Sequence, residues 1–274
     1  MRWVLIRPAE REDAAAVVAL RRLVYPYLVR GVEATRRSIT GSQWVAVAGG
    51  EVVGWVGARG HTISLLHVHP AHRLRGIGSG LLAEALRHVR APARMVAQPQ
   101  CLGFARRHGF TPTREIRYSA VDLRGFPRTS SDLPRLRDVH PGELYRAYVE
   151  ATADEPGDVP PEPMPYGDWR AEFWDNPDVD AEAGTVAVLD GRPVSFTFLL
   201  RDGDRAWSDM TATLPAYRGR GLALAVKRAA LSRTGARIAY TSNDEANKPM
   251  LAVNARLGYR TVAAQWSCLS DALR

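Results

Sequence analysis

Apolar and polar positions over the first 125 residues alternate with two different periods, and the order of the two is mixed. Period-two runs predict strands over 2–7, 43–48, 51–58, 62–69, 94–98 and 114–122, while a 3.6-residue period predicts helices over 10–24, 76–90 and 100–108. The pattern then returns. WVAVAGGEVVGWVGA (44–58) is matched by TVAVLDGRPVSFTFL (185–199), each a pair of β-rich runs around a Gly-Gly or Asp-Gly turn, which is a hairpin signal. HVHPAHRLRGIGSGLLAEALR (67–87) aligns with ATLPAYRGRGLALAVKRAALS (212–232), and CLGFARRHGF (101–110) with MLAVNARLGY (250–259). Three blocks recurring in one order, at offsets of 141, 145 and 149, describe two copies of one unit separated by small loop insertions. Periodicity lapses in LRGFPRTSSDLP (123–134), so two domains are expected, 1–125 and 126–274, each α/β (α+β) with a mixed sheet. The second copy differs at its front. A helix predicted over 141–153 gives way to EPGDVPPEPMPYGDW, whose prolines bar a continuous helix.

At 274 residues, with 46% hydrophobic, 24% charged and 8% aromatic, the chain can fill two cores and is not a disordered or fibrous sequence. Charges or prolines interrupt every apolar stretch well short of the roughly 18 residues a membrane span needs, so no membrane role is expected. The opening MRWVLIRPAEREDA reads as a first strand, not as a signal peptide. Cys101 and Cys268 make neither a disulfide framework nor a zinc motif, which places the protein in a reducing cytoplasm. Only Lys227 and Lys248 of the 37 basic residues are lysines, a bias that reflects coding composition and carries no chemistry by itself. Residues 1–125 hold 19 arginines against 8 acids, net +11, whereas residues 126–274 are net −3.

The chemistry concentrates in the second repeated block. After the strand ending at Val68, the turn Arg73, Leu74, Arg75, Gly76, Ile77, Gly78, Ser79 opens a helix, and Arg218, Gly219, Arg220, Gly221, Leu222, Ala223 repeat it. Glycines let an anion approach the backbone, the helix N-terminus offers free N–H groups and positive potential, and the arginines add charge-assisted contacts, so each turn reads as a phosphate cradle. Neither a P-loop nor a complete dinucleotide fingerprint with its acidic residue is present.

This turn, preceded by a strand and by V/L-x-P and followed by a helix that ends in LGY or GF, resembles the GNAT superfamily of acyl-CoA N-acyltransferases. The resemblance occurs twice, so the chain is similar to tandem GNAT proteins, an architecture of which mycothiol synthase is an example. It implies a splayed central sheet in each half, acetyl-CoA as co-substrate with its pyrophosphate on the turn, and a small-molecule amine as acceptor, without metal. In many members the late helix carries a tyrosine that protonates the departing thiolate; here Ala105 and Asn254 stand at that position. TSNDEANKPM (241–250) resembles the pattern in which an asparagine contacts the CoA arm, which nominates Asn247 and then Asn243 and favours the second half as the catalytic one. By the same resemblance the oxyanion donors are backbone amides around Thr213 and Leu214. Asp209 is the candidate base, with Tyr240, Ser242 and Tyr217 as candidate acids, although each also fits a packing, capping or surface role.

Other groups carry weaker signals. His67 and His69 share a strand face but lack a third ligand, and His67 is a possible base beside a bland strand histidine. Cys101 aligns with Met250 and is expected to be buried and inert. Between Glu150 and Glu182 eleven acids face one basic residue, Arg170, either as a solvated loop or to steer a cationic acceptor, and Tyr166, Trp169, Phe173 and Trp174 there fit core more readily than a pocket wall. Two other classes stay open: an acyl-CoA sensor without turnover, and a basic nucleic-acid-binding module. No nucleic-acid partner is expected under the main reading, and the chain is expected as a monomer or homodimer.

Overall fold

The computed structural model describes residues 3–128, 130–154 and 164–272. In chain order the elements are β1 (Val4–Pro8), α1 (Ala14–Val24), α2 (Val32–Ser38), β2 (Gln43–Ala48), β3 (Glu51–Arg59), β4 (Thr62–Val68), α3 (Ile77–Leu86), β5 (Ala93–Ala97), α4 (Leu102–Arg107) and β6 (Thr111–Asp122). They continue as α5 (Pro141–Thr152), α6 (Tyr166–Trp169), β7 (Thr185–Leu189), β8 (Arg192–Asp202), β9 (Arg205–Thr213), α7 (Leu222–Arg233), β10 (Ile238–Asp244), α8 (Lys248–Arg256) and β11 (Arg260–Ser270). The repeated order is thus present twice. The predicted helix 10–24 starts as a short 3-10 turn at Arg11–Asp13, and the predicted 76–90 closes at Leu86, where Arg87 and His88 tighten into i→i+3 bonds. Helix α2 was not legible, because only Ala34 and Thr35 of its seven residues are buried.

The chain forms two compact units, and their limits differ from the boundary expected near 126. Unit 1 is Met1–Ile116 together with Ala264–Arg274, and unit 2 is Arg117–Ala263. β6 runs unbroken through the division, so the Gly/Pro-rich stretch after it marks a loop and not the packing limit. In unit 1 the strands follow β1-β2-β3-β4-β5, and the further neighbour of β5 is the end of β11, with Trp266–Ser270 antiparallel to Ala97–Ala93. In unit 2 the order is β6-β10-β9-β8-β7.

Both cores follow the two periods. Unit 1 packs α3 residues Ile77, Leu81, Leu82 and Ala85 on Val56, Ile63 and Met95, and α1 covers the opposite face through Val17 and Leu20 against Val45 and Trp55. Unit 2 buries Phe196, Phe198 and Val226 with Trp169 and Phe173, so two aromatics of the proline-rich front end are core, Trp169 being fully buried, while Trp174 packs partly buried against them and Tyr166 is exposed. At the midpoint of each unit two parallel strands meet briefly and part. β4 and β5 pair only at Thr62–Arg94 and Ile63–Met95, and β9 and β10 only from Arg205–Ile238 to Trp207–Tyr240. Beyond those points β4 runs on to Val68 and β9 to Thr213 without that neighbour. A register irregularity bends each strand, opposite Val56 in unit 1 and opposite Phe198 in unit 2.

Candidate acyl-CoA and catalytic sites

Each gap between parting strands opens toward a glycine turn. In unit 1 Leu74 and Gly76 take positive φ, 60° and 82°; in unit 2 Gly219 and Gly221 take 76° and 77°. The left-handed residues turn the chain so that α3 and α7 begin at Ile77 and Leu222 with unpaired first-turn amides; in unit 2 the first amide with a helical partner is that of Ala225, bonded to the Gly221 carbonyl at 3.0 Å. A Cβ built at Gly76, Gly219 or Gly221 meets no heavy atom within 4 Å. Open space thus lies against the backbone at a helix N-terminus, which fits a phosphate group. The arginine that opens each turn ties it to the preceding strand: Arg73 Nε donates to the Val68 carbonyl at 3.2 Å, and Arg218 Nε to that of Thr213 at 3.1 Å.

The turns differ in what else they touch. Arg218 donates to both carboxylate oxygens of Asp154, at 2.5 and 2.8 Å, and to the Ala151 carbonyl at the end of α5. The guanidinium holds the Asp154 carboxyl below its ordinary value. Arg220 folds back over the Tyr217 ring, 5.1 Å from its centroid, which occupies that candidate acid in packing. In unit 1 Gly78 approaches Val68 and Phe104, and Ser79 Oγ is 3.0 Å from His108 Nε2. Leu74 is fully exposed, and Arg75 projects from the same turn.

Of the catalytic candidates, Asp209 is exposed at the irregularity of β9 and accepts a hydrogen bond from the Trp207 indole at 2.8 Å. Tyr240, opposite Trp207 in the register, lies half-buried with the Arg205 guanidinium 5.6 Å from its ring centroid. Ser242 is two residues further along the same face of β10. Asp209, Tyr240 and Ser242 therefore belong to one face beside the gap. Leu214 requires a correction: its amide donates to the Val194 carbonyl at 2.9 Å and its side chain is completely buried, so this amide is not a free oxyanion donor. Thr213 is tied through its hydroxyl to Ser195 at 2.8 Å. Asn247 caps α8, its Oδ1 accepting from the Met250 amide at 3.2 Å, whereas Asn243 is bonded to Asn254.

The remaining signals resolve into structure. His67 is buried against Tyr25, ring centroids 4.5 Å apart, and burial followed by the charges of Arg21 and Arg73 depresses its basicity well below the ordinary value. His69 Nδ1 instead accepts from the Ala71 amide. No group of three potential ligands able to hold a metal is present among the described residues. Cys101 is half-buried, not buried as expected, and its partial burial still raises the thiol. Of the acidic stretch, Glu155, Asp158 and Glu162 lie outside the described residues; Asp154, Asp175, Asp180 and Glu182 pair with Arg218, Arg170, Arg201 and Arg135 with Arg137. Much of that charge is thus compensated locally. No helix among the described residues is long and apolar enough to cross a membrane.

Parting parallel strands above an open glycine turn at a helix N-terminus, built twice, are the geometry of an acyl-CoA-type acyltransferase. The acetyltransferase (GNAT) domain model matches residues 40–112 and the acetyltransferase (GNAT) family model residues 144–259, together more than half of the chain. The chain belongs to the GNAT superfamily, with two such domains in tandem, and is an acyl-CoA N-acyltransferase. It is similar to a mycothiol acetyltransferase of a Nocardioides species, 28% identical over 248 residues that cover 75% of this chain and 80% of the relative. It is also similar to a mycothiol acetyltransferase of Saccharomonospora viridis, 29% identical over 231 residues that cover 75% of this chain and 73% of that one. Among solved structures, a GCN5-related N-acetyltransferase from Sphaerobacter thermophilus shares the fold at TM-score 0.71 and 18% identity, covering 98% of this chain and 95% of its own. A tandem GNAT protein from the clavulanic acid biosynthesis pathway does so at 0.69 and 21%, covering 97% and 98%.

Proposed function

We propose that the protein transfers an acetyl group from acetyl-CoA directly to the primary amine of a small molecule, with the chemistry in unit 2 and an acyl-CoA cradle in both units. The parting of β9 from β10 after three residue pairs, directly above the open turn at Gly219 and Gly221, carries this reading. An extended thioester arm fits between the two strand edges while the pyrophosphate rests on amides of Gly219, Arg220, Gly221, Leu222 and Ala223, with Arg218 alongside. In unit 1 Arg73, Leu74, Arg75, Gly76, Ile77, Gly78 and Ser79 form the corresponding cradle below Val68.

The amine nitrogen attacks the thioester carbonyl carbon, and the C–S bond breaks with its electron pair going to sulfur. Asp209, exposed beside the gap, accepts the amine proton directly or through water, and the indole that donates to one of its oxygens orients it. Tyr240 and Ser242 are the proton sources on that face. Backbone amides near Thr213 other than that of Leu214 stabilise the oxyanion. A small-molecule amine acceptor and a cytoplasmic setting complete the proposal; both cysteines are free. The alternative of a sensor without turnover draws on the residues at the tyrosine position of the family, Ala105 and Asn254.

Native mass spectrometry of the protein titrated with acetyl-CoA, followed by thiol release over a panel of small amines, tests the reading. Two bound ligands with release are expected. One ligand would assign a single working cradle, binding without release would leave the sensor, and no binding would remove the acyl-CoA assignment and leave the basic module.

A further inference from the structure

Behind the gap in unit 2 runs a file of buried polar groups that the transfer scheme leaves unused. Lys227, in the middle of α7, is 1% exposed, and its Nζ donates to Asn254 Oδ1 at 2.6 Å. Asn254, on α8 and 3% exposed, donates from Nδ2 to Asn243 Oδ1, also at 2.6 Å. Asn243 is half-buried on β10, three residues beyond Tyr240, the last residue of that strand to pair with β9. It shares a strand face with Ala239 and Thr241, opposite the face of Tyr240 and Ser242. The file therefore connects the interior of the helical layer to the strand edge at the gap.

The chemistry of its buried end fixes the direction of every bond in it. A lysine ammonium has three donors and no acceptor, so the Asn254 atom facing it must be the oxygen. The other end of that amide is then a donor, and the Asn243 atom facing it must be an acceptor. Asn243 accordingly turns its own NH2 away from Asn254. Side-chain amide orientation is ambiguous when both ends can accommodate either role; here the charged form of Lys227, present below its pKa of about 7, removes the ambiguity at two successive residues. No carboxylate is recorded against Lys227 among the described residues. The titratable side chain that faces it is Tyr259, from the turn between α8 and β11, whose ring centroid lies 5.0 Å from Nζ and whose hydroxyl burial keeps protonated. From β7, β8 and β9, which pack on the same helix, no charged side chain is recorded as acting on it, and burial alone brings its pKa down to about 7.

We infer that Lys227 is a positioning residue: it sets the polarity of the Asn254–Asn243 relay so that Asn243 presents an amide donor, and not a carbonyl, to an acceptor oxygen of the acyl-CoA arm between β9 and β10. The inference rests on the acyl-CoA reading of unit 2. It gives Asn254 a purpose as the middle of a directed relay, at the position where a tyrosine is expected.

Isothermal titration at pH 6, where Lys227 is charged, with two probes separates positioning from packing. Coenzyme A carries the arm, and adenosine 3′,5′-bisphosphate carries the nucleotide with one phosphate of the turn-binding pair and no arm. Lys227→Met removes the source of polarity. Asn254→Asp keeps a partner for Lys227 but only accepts, so Asn243 must rotate its NH2 inward and expose its oxygen. In an Arg73→Glu background, which silences the unit 1 cradle, both variants are expected to bind coenzyme A about tenfold more weakly with unchanged affinity for the bisphosphate, as loss of one hydrogen bond at a buried edge predicts. Equal loss for both probes would assign Lys227 and Asn254 to packing alone, and unchanged affinity for both would show that the relay does not meet the arm; either result overturns the inference. Failure of the Arg73→Glu parent to bind either probe would instead overturn the acyl-CoA reading of unit 2. If Lys227→Met does not fold, Asn254→Asp decides the question alone, since its buried partner stays in place.

Discussion

The two turns have nearly the same backbone and very different surroundings. Leu74 and Gly219 occupy the same left-handed position, at 60° and 76°, and Gly76 and Gly221 the next one. Both leading arginines clasp the strand before them. Yet the position that is Asn254 in unit 2, hydrogen-bonded to a buried lysine, is Ala105 in unit 1, fully buried in an apolar core. Around that one position the interior of unit 1 is apolar, whereas unit 2 carries an asparagine and a lysine there; elsewhere unit 1 buries polar groups too, in Arg21 and His67.

The comparison breaks most completely if the open side of the unit 2 cradle is filled. Gly221→Val places a branched side chain at φ 77° in the space proposed for phosphate, and acetyl-CoA binding by unit 2 should fall a hundredfold or more while unit 1 still takes up its ligand in native mass spectrometry. Arg218→Ala should act in the same direction. Loss of activity without loss of the second bound ligand would argue against the assignment.

Next in size is the cost of Lys227. Its pKa is lowered from 10.5 to about 7 in the folded protein, so the unfolded chain binds more protons between those values. Stability therefore rises with pH from about 7 toward 10.5 and is lowest below the folded value, where the buried charge withholds on the order of 5 kcal/mol. Lys227→Met should remove that slope. At pH 6 it should raise the unfolding free energy by roughly 2 to 3 kcal/mol, less than the full amount because the Asn254 oxygen loses its donor. Urea unfolding at several pH values checks both the sign and the slope, and a variant less stable than the parent at pH 6 would contradict the burial argument.

Smaller effects sharpen the contrast at the arginines. Asp154 offers Arg218 a carboxylate where unit 2 would hold a phosphate. Asp154→Asn should therefore tighten acetyl-CoA binding severalfold at low salt, with the gain shrinking as salt screens the exposed pair. The smallest change concerns Leu74. Replacing an exposed leucine in left-handed conformation by glycine relieves strain and costs chain entropy, a net stabilisation of about 0.5 kcal/mol, seen as a small rise in melting temperature. The same change at Gly219 in reverse, Gly219→Leu, should be destabilising by a similar amount.

Much of this was legible in the sequence because it is local or repeated. The hairpins at Gly49-Gly50 and Asp190-Gly191, the two turns and the helices they open all announce themselves within a dozen residues, and their recurrence fixed the tandem architecture. Lys227 was not legible as buried: in LALAVKRAALSR a lysine beside an arginine reads as a solvated helix face, and only the packing of α7 against α8 and Tyr259 encloses it. Its being one of two lysines in a chain of arginines is the sequence signal that sets it apart. Asn247 resembles a ligand and its Oδ1 also caps α8, a role that asparagine fills for purely local reasons and that leaves its NH2 to be tested. The bond from the Leu214 amide to Val194 depends on strand register, which sequence periodicity does not specify.

The presence of Ala264–Arg274 in unit 1 sets an order of events during synthesis. Ribosomes release chains from the N-terminus, and a domain whose residues are contiguous can close before the next one is made. Here β5 receives Trp266–Ser270 as a neighbour only after the whole of unit 2 has been translated. Until then one edge of a growing sheet stands without that strand, and exposed edges invite pairing with other chains. Polypeptides interrupted anywhere within unit 2 would carry that open edge permanently, so the protein is made as a whole or left prone to associate.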